Sequence, residues 1–207
     1  MKDYLEKYSS NTTLQDSYYM IRHGAAILDG SEFGMMKISG DGAADCLDQA
    51  AAKDIKYLNI DTVSECLILD EQASALGLAY ICRLDSEFHL RGIQVIPDWE
   101  GHEIIVMRIG RSGEYVYSVI TDTECMADIA AKIMAYGKNN DIKLGVASEE
   151  AVIVSMLETL EPDFRTLPAS DYDIFTLGIQ WMIQYEKEDY CGHDAMMELF
   201  SRERQQE

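Results

Sequence analysis

The stretch Val106–Gly137, VMRIGRSGEYVYSVITDTECMADIAAKIMAYG, decides the fold class because two different periodicities follow one another within it. Its first half, together with the three residues before it, predicts a hairpin of two strands, Glu103–Ile109 and Tyr115–Ile120, around a glycine-containing turn. Asp122–Tyr136 predicts a helix, with Gly137 at the position typical of a C-terminal cap. We expect its apolar stripe to be buried, and the stripe comprises Met126, Ile129, Ala130, Ile133 and Met134. A hairpin followed directly by a helix indicates an α+β protein.

Outward from this stretch, helices and short strands alternate along the chain. Residue composition and spacing predict four further helices: Leu14–His23, Ala43–Ala51 with Asp41 as its N-cap, Glu149–Glu158 and His193–Arg202. Short apolar runs predict strands at Ala25–Leu28, Met35–Ser39, Cys66–Leu69, Ala75–Arg83, Phe88–Arg91, Ile142–Val146 and Gly178–Tyr185. We expect the first two of these strands to pair. The order of elements predicts antiparallel sheets with packed helices.

Length and hydropathy bound the class of protein. The chain has 207 residues, enough for one large domain or two small ones. Hydrophobic residues make up 47% of it, and no stretch approaches the roughly 18 apolar residues of a membrane span. The N-terminal residues Met1–Lys7 mix charges of both signs and lack the apolar core of a signal peptide. We therefore expect a cytoplasmic protein that does not act on a membrane.

Charge and metal-ligand spacing exclude further classes. The formal net charge is −20, from 37 acidic and 17 basic residues. A field of this sign repels nucleic acid and anionic lipid, so neither is expected as a partner. The five cysteines include no Cys-x-x-Cys pair, and the four histidines have no partner at ligand spacing. The sequence therefore predicts neither a disulfide framework nor a metal site.

Three segments carry a resemblance to a known family. His23–Leu47 contains a short strand, the segment GMMKISG and an alanine-rich helix, Val106–Tyr115 contains RIGRSGEY, and Thr176–Met196 contains KEDYCGHDAM. In this order and spacing, they resemble the glycine cleavage system T-protein (aminomethyltransferase) family over most of the chain. The region after Phe88 is shorter than in that family, and the resemblance stops before the family's C-terminal β-barrel domain.

The resemblance implies a two-lobed core like that of the family's folate-binding domain. Residues 1–85 and 170–207 would form the first lobe, and residues 86–169 a shortened, ferredoxin-like second lobe. It also implies tetrahydrofolate as a cofactor, with Glu114 accepting hydrogen bonds from the amino-pyrimidine edge of the pterin. Arg108, with Arg111, would be a local basic group for the anionic tail. The residues alone leave two alternatives open: a solvated hairpin carboxylate at Glu114, and surface ion pairing by the two arginines.

Several positions depart from the family's pattern. Ala75 and Leu76 stand where the family has its catalytic aspartate, and Glu65 stands where it has a pocket tyrosine. Ser148–Val152 stands where the family has an arginine-bearing helix. The sequence therefore identifies no catalytic residue, and membership of a family would not by itself confer activity.

Three functions stay open at this stage. The first is a tetrahydrofolate-dependent aminomethyl- or methyltransferase of one-carbon metabolism, or one component of such a system. The second is a non-catalytic folate-binding or interaction module, and the third is a structural subunit of an assembly. The missing barrel would leave a surface exposed, so we expect either a homo-oligomer or a partner protein to cover it.

Overall fold

The fold was analysed in a computed structural model that describes residues 3–9, 12–31, 33–84, 93–110, 112–166 and 172–204. Six helices are present in these ranges: α1 (Asp3–Ser9), α2 (Leu14–His23), α3 (Ala43–Ala50), α4 (Thr123–Asn139), α5 (Glu149–Glu158) and α6 (His193–Glu203). The strands are β1 (Ala25–Ile27), β2 (Thr62–Leu69), β3 (Ala75–Arg83), β4 (Ile93–Trp99), β5 (His102–Arg108), β6 (Tyr117–Ile120) and β7 (Leu144–Val146). This mixture confirms the α+β class.

The strands form three small sheets. Strands β2 and β3 pair antiparallel, and β4, β5 and β6 form an antiparallel sheet in that order. Strand β1 instead pairs with β7 in parallel, with Ala25 opposite Leu144 and Ile27 opposite Val146. The predicted hairpin of the deciding stretch is therefore confirmed as β5 and β6. No helix in the described ranges has the length and apolar character needed to cross a bilayer.

The chain divides into two compact units. The first unit consists of Met1–Met36 and Phe88–Glu161, and the second unit of Lys37–Glu87 and Pro162–Glu207. The predicted lobes differ from these units because they grouped the N-terminal residues with the second unit. Residues 1–36 belong to the first unit for two reasons. Among the described strands, β1 pairs only with β7, and α2 packs on α5.

The core of the second unit lies on both faces of the β2–β3 pair. Leu67 and Leu69 face one cluster, which also contains Ile174, Met182, Tyr190 and Met196. Cys66 faces the opposite cluster, with Ala51, Ile55 and Ile81. Neighbouring residues of a strand point to opposite faces, so covering both faces explains why β2 is apolar at consecutive positions.

A buried lysine closes the C-terminal end of α3. Lys187 is only 6% exposed, and its ammonium donates hydrogen bonds to the carbonyl oxygens of Ala51 at 3.0 Å, Lys53 at 2.9 Å and Asp48. It also pairs with Asp48 Oδ1 at 3.2 Å. Burial opposes ionisation of Asp48, but hydrogen bonds from the Lys56 and Ile55 backbone and from Lys187 lower the pKa of this carboxyl overall. A cation at a helix C-terminus satisfies carbonyls that the helix itself cannot.

The α2–α5 pair of the first unit packs through small residues. Ser17 and Ser155 are both fully buried, and Ser17 Oγ accepts a hydrogen bond from Ser148 N at 3.1 Å. Ser148 in turn caps α5, because its Oγ accepts a hydrogen bond from Ala151 N at 3.3 Å. These contacts fix the start of α5 against α2.

The C-terminus of α5 is a Schellman turn with an unusual residue. Glu161 N donates to Met156 O at 2.9 Å and Leu160 N donates to Leu157 O at 3.1 Å. Leu160 occupies the left-handed position with φ 56°, where glycine is the usual residue, and its side chain is 86% exposed. The leucine is therefore held in a strained conformation with almost no packing inside the chain.

Replacing Leu160 with glycine should raise the free energy of unfolding by about 0.5–1 kcal/mol, because relief of the left-handed strain exceeds the extra entropy of glycine in the unfolded chain. Urea denaturation measures this difference. Leu157→Ala, at an exposed helical position nearby, serves as the control and should change stability little. A destabilised Leu160→Gly protein would contradict the prediction.

Helices α2, α5 and α6 and strand β3 lie where the sequence predicts them, but three other predictions are wrong. Met35–Ser39 forms no strand, and Met35 and Met36 are exposed. Gly42 rather than Asp41 is the N-cap of α3, with no side-chain hydrogen bond. Gly178–Tyr185 contains a 3-10 turn at Gln180–Met182 in place of a strand. The predicted strand Phe88–Arg91 lies outside the described residues.

The helix of the deciding stretch differs in two details. It continues through Gly137 to Asn139, and a Cβ at Gly137 would lie 2.6 Å from a side-chain carbon of Leu144. Gly137 therefore permits close approach of β7 and does not end the helix. Of the predicted stripe, Ala130 is buried, whereas Ile133 is 41% exposed.

Candidate functional site

The two predicted ligand-binding residues line one groove of the first unit. The loop that connects β5 to β6 borders an open cavity of about 450 Å³, called here the loop groove. Arg108 and Glu114 both lie on its wall. The other lining residues are Ile109, Gly110, Gly113, Tyr115 and Val116. A cavity of this size lies in the range of small-molecule sites.

Two glycines give the loop its shape. A Cβ at Gly110 would lie 2.5 Å from Cβ of Val116, so only glycine lets the two sides of the loop approach this closely. Gly113 has φ 77°, and a Cβ there would lie 2.7 Å from Cγ2 of Thr159 at the end of α5. The Gly-x-x-Gly spacing therefore serves both the turn and the packing of the loop against α5.

Arg22 of α2 anchors the loop. Its Nη1 donates hydrogen bonds of 2.8 Å to Ser112 O and of 2.8 Å to Glu114 Oε1. Its Nη2 donates to Glu158 Oε2 at 2.5 Å and, more weakly, to Ser155 O at 3.5 Å. One guanidinium thus joins α2, the loop and the last turn of α5, which fixes the position of the Glu114 carboxylate.

Tyr18, Arg22, Glu114 and Glu158 form a single polar network, called here the Arg22 cluster. The Tyr18 hydroxyl lies 2.8 Å from Oε1 and 2.9 Å from Oε2 of Glu158, to which it donates. Hydrogen bonds to Glu114 and then Glu158 raise the pKa of Arg22 above its ordinary value. The Tyr18 hydrogen bond, followed by that of Arg22, lowers the pKa of Glu158. The cluster therefore favours the ionised form of Glu158 beside the Arg22 cation.

The Arg22 cluster should make the protein more sensitive to acid. Because the folded-state pKa of Glu158 is lowered, its contribution to stability is present above the unfolded-state pKa and is lost as pH falls through the folded-state pKa. Urea denaturation between about pH 6 and about pH 3 should show a smaller loss of stability in Glu158→Gln than in the original protein. Parallel pH profiles for the two proteins would exclude this contribution.

Arg108 and Tyr115 form the outer wall of the loop groove. The guanidinium carbon of Arg108 lies 4.5 Å from the centroid of the Tyr115 ring, a cation–π contact. Tyr115 is 78% exposed, so one face of an aromatic ring is available at the groove. Within the described residues, no carboxylate lies within 4 Å of the Arg108 guanidinium, so the ion-pairing alternative has no partner there. Arg111 lies outside the described residues.

The remaining positions named from the resemblance are not in this groove. Ala75, Leu76 and Glu65 belong to the β2–β3 pair of the second unit, and Ala75 is buried in its core. Ser148–Val152 forms the start of α5, where Ser148 is the N-cap. In the part of the chain that the structure describes, no group of three or more histidine, cysteine and acidic side chains could hold a metal ion.

Sequence reasoning missed four residues of the site: Tyr18, Arg22, Ser112 and Glu158. The contacts that Arg22 makes with Ser112, Glu114 and Glu158 span 90, 92 and 136 residues, so no local motif reveals them. The one local signal is the spacing of Tyr18 and Arg22, which are four residues apart and therefore lie on one face of α2.

Comparison with known proteins gives no further constraint. No protein-family model matches the chain, and no curated protein matches it.

Proposed function

We propose that the protein is a tetrahydrofolate-binding, aminomethyltransferase-like protein that handles methyl or aminomethyl units as one component of a methyltransferase system. The observation that carries the proposal is the arrangement of Arg22, Glu114 and Arg108 around the loop groove. A carboxylate held in place by one arginine and a second arginine beside an exposed aromatic ring suit a ligand with a polar heterocycle and an anionic tail.

Glu114 is suited to the pterin end of such a ligand. Its side chain is 38% exposed, and Arg22 uses one acceptor position on Oε1. A carboxylate has about four lone-pair positions, so two further hydrogen bonds, from the amino group and the ring N–H of a pterin, can be accepted. Because Arg22 already orients the carboxylate, little conformational freedom is lost on binding.

Arg108 and Tyr115 suit the remaining parts of the ligand. The Arg108 guanidinium can bind a carboxylate of the glutamate tail in a bidentate manner, which provides local positive charge within a protein of net charge −20. The exposed Tyr115 ring offers a face on which a flat group can stack. Tetrahydrofolate would supply the nitrogen that carries the one-carbon unit.

Among the described lining residues of the groove, Glu114 is the only carboxylate, and the proposal uses it to bind the pterin. The position that aligns with the family's aspartate, Ala75, is a buried alanine of the second unit. This observation favours the alternative of a non-catalytic folate-binding module, or a chain whose catalytic groups come from a partner protein. A positioned acid or base typically accelerates a reaction by about 10²–10⁴-fold. A groove that lacks such a group can bind folate without catalysing transfer of the one-carbon unit.

Replacing Glu114 with alanine should weaken binding of 5-formyl-tetrahydrofolate by roughly 1–3 kcal/mol, or about 5- to 150-fold, because the pterin donors lose their acceptor. Isothermal titration calorimetry with 5-methyl- and 5-formyl-tetrahydrofolate measures this change. Arg108→Ala should also weaken binding, whereas Glu103→Ala, an exposed carboxylate on β5, is the matched control.

The same titration tests the proposed function. Absence of both heat and a thermal shift at millimolar ligand would exclude the folate proposals altogether. Binding that is unchanged in Glu114→Ala and Arg108→Ala would support a folate ligand but would show that it binds outside the loop groove.

A further inference from the structure

We infer that the exposed apolar face formed by α2 and α5 is a docking surface for a basic amphipathic helix of a partner protein. This α2–α5 face comprises Leu14, Tyr18, Val154, Leu157 and Leu160. Its centre is a groove of about 490 Å³ lined by Thr13, Leu14, Gln15, Tyr18 and Val154. The residues that line this groove differ from those that line the loop groove, so the inference does not depend on folate binding.

The apolar side chains of the face are continuous along α5. Val154 and Leu157 are three residues apart and therefore lie on the same side of the helix, and Leu160 follows at its C-terminus. Leu157 is 65% exposed and Leu160 is 86% exposed, and Leu14 and Val154 line the groove itself. Contiguous exposed apolar side chains on a soluble unit are typical of an interaction surface.

The conformation of Leu160 provides an independent argument. A leucine with φ 56° destabilises the turn, and its side chain gains almost nothing from packing within the chain. A glycine would satisfy the same Schellman hydrogen bonds without strain. A strained, solvent-exposed leucine is explained if its side chain contacts another molecule.

Charge determines the kind of partner. Three exposed carboxylates border the face: Asp16 on α2, and Glu150 and Glu158 one turn before and after Val154 on α5. Lys143 pairs with Asp16, and Arg22 is shared between Glu158 and Glu114. Two cations therefore serve four carboxylates, Asp16, Glu114, Glu150 and Glu158, so the surroundings of the face keep a net negative charge. A second copy of this chain, also with net charge −20, would bring like charges together. A basic partner is complementary.

The shape of the groove determines the form of the partner. It lies between two helices, and its apolar contacts come from positions spaced by three or four residues. Such a groove accommodates an amphipathic helix whose own apolar side chains recur at i, i+3, i+4 and i+7. Lysine or arginine on the flanks of that helix would face the bordering carboxylates.

The test uses the full chain and a synthetic peptide of about 18 residues, with leucine at i, i+3, i+4 and i+7 and lysine on the flanks. A peptide of identical composition in scrambled order controls for non-specific attraction to an acidic protein. Fluorescence anisotropy in about 0.15 M salt should show binding at least about tenfold tighter for the amphipathic peptide. Leu157→Gln and Leu160→Gly should each weaken it by about fivefold or more, whereas Ile133→Gln, an exposed apolar residue of α4, should not.

Leu160→Gly separates docking from a structural role, because it should raise the midpoint of urea unfolding while it weakens peptide binding. Arg108→Ala, in the loop groove and outside the Arg22 cluster, should leave peptide binding unchanged. Equal affinity for the scrambled peptide, or binding that is insensitive to Leu157 and Leu160, would overturn the inference. Light scattering that shows a dimer disrupted by Leu157→Gln would assign the face to a second copy and would also overturn it.

Discussion

Replacement of Lys187 with methionine should lower the free energy of unfolding by about 3–5 kcal/mol, the largest effect we expect from a single side chain. The Lys187 ammonium is buried and binds three carbonyl oxygens and the Asp48 carboxylate. Methionine fills a similar volume, so packing is largely kept while the buried acceptors and the Asp48 charge lose their cation. Chemical denaturation monitored by circular dichroism measures the loss.

Lys56→Met is the matched control for this prediction. Lys56 pairs with Asp45 at 2.6 Å, but both side chains are more than half exposed. An exposed pair of this kind contributes under about 1 kcal/mol, so the control should be close to the original protein. Equal destabilisation by the two substitutions would show that burial of Lys187 has no special role.

Local patterns predicted several elements correctly because local contacts determine them. The predicted bounds of α2, β3 and α5 match the structure, and α2 and α5 each begin after a side-chain N-cap, Thr13 and Ser148. The strand predicted at Gly178–Tyr185 is wrong because the apolar residues of this segment do not follow the period of two that a strand requires. The buried residues there are Ile179, Met182 and Ile183, whose spacing of three and four belongs to a helical turn.

Other errors arise from contacts that no local pattern contains. Met35–Ser39 has the apolar character of a strand but no ladder partner among the described residues, whereas β1 pairs with β7 more than 100 residues later. Gly137 leaves room for the side chain of Leu144 to approach the helix. From the sequence alone, a glycine required by such a contact looks the same as a glycine that ends a helix. The division into units depends on the same long-range β1–β7 pairing.

The candidate site shows the same limit. Glu114 and Arg108 were selected from the resemblance, and both lie beside a glycine-rich turn that the sequence makes visible. Arg22 was predicted only as part of a helix, since a helical pattern gives no information about which distant carboxylates its side chain binds. The network that orients Glu114 therefore needed the tertiary structure.

Replacement of Arg22 with methionine should lower the free energy of unfolding by about 2–4 kcal/mol. Buried carbonyls of Ser112 and Ser155 would lose their donor, and Glu114 and Glu158 would face one another without the cation that they share. We place the effect below that for Lys187 because the side chains of Glu114 and Glu158 are 38% and 47% exposed, so solvent screens part of the repulsion. Urea denaturation measures the loss, and Arg202→Met, an exposed arginine of α6, is the control.

A second substitution separates loss of hydrogen bonds from repulsion between the carboxylates. Adding Glu158→Gln to Arg22→Met removes one of the two like charges, so the double variant should recover part of the lost stability, although each single substitution destabilises the protein. If the Arg22 cluster also orients Glu114 for a ligand, this double variant should regain stability without regaining affinity for 5-formyl-tetrahydrofolate. Recovery of neither property would assign the loss to the hydrogen bonds that the Ser112 and Ser155 carbonyls no longer receive, because methionine keeps the length of the side chain but donates no hydrogen bond.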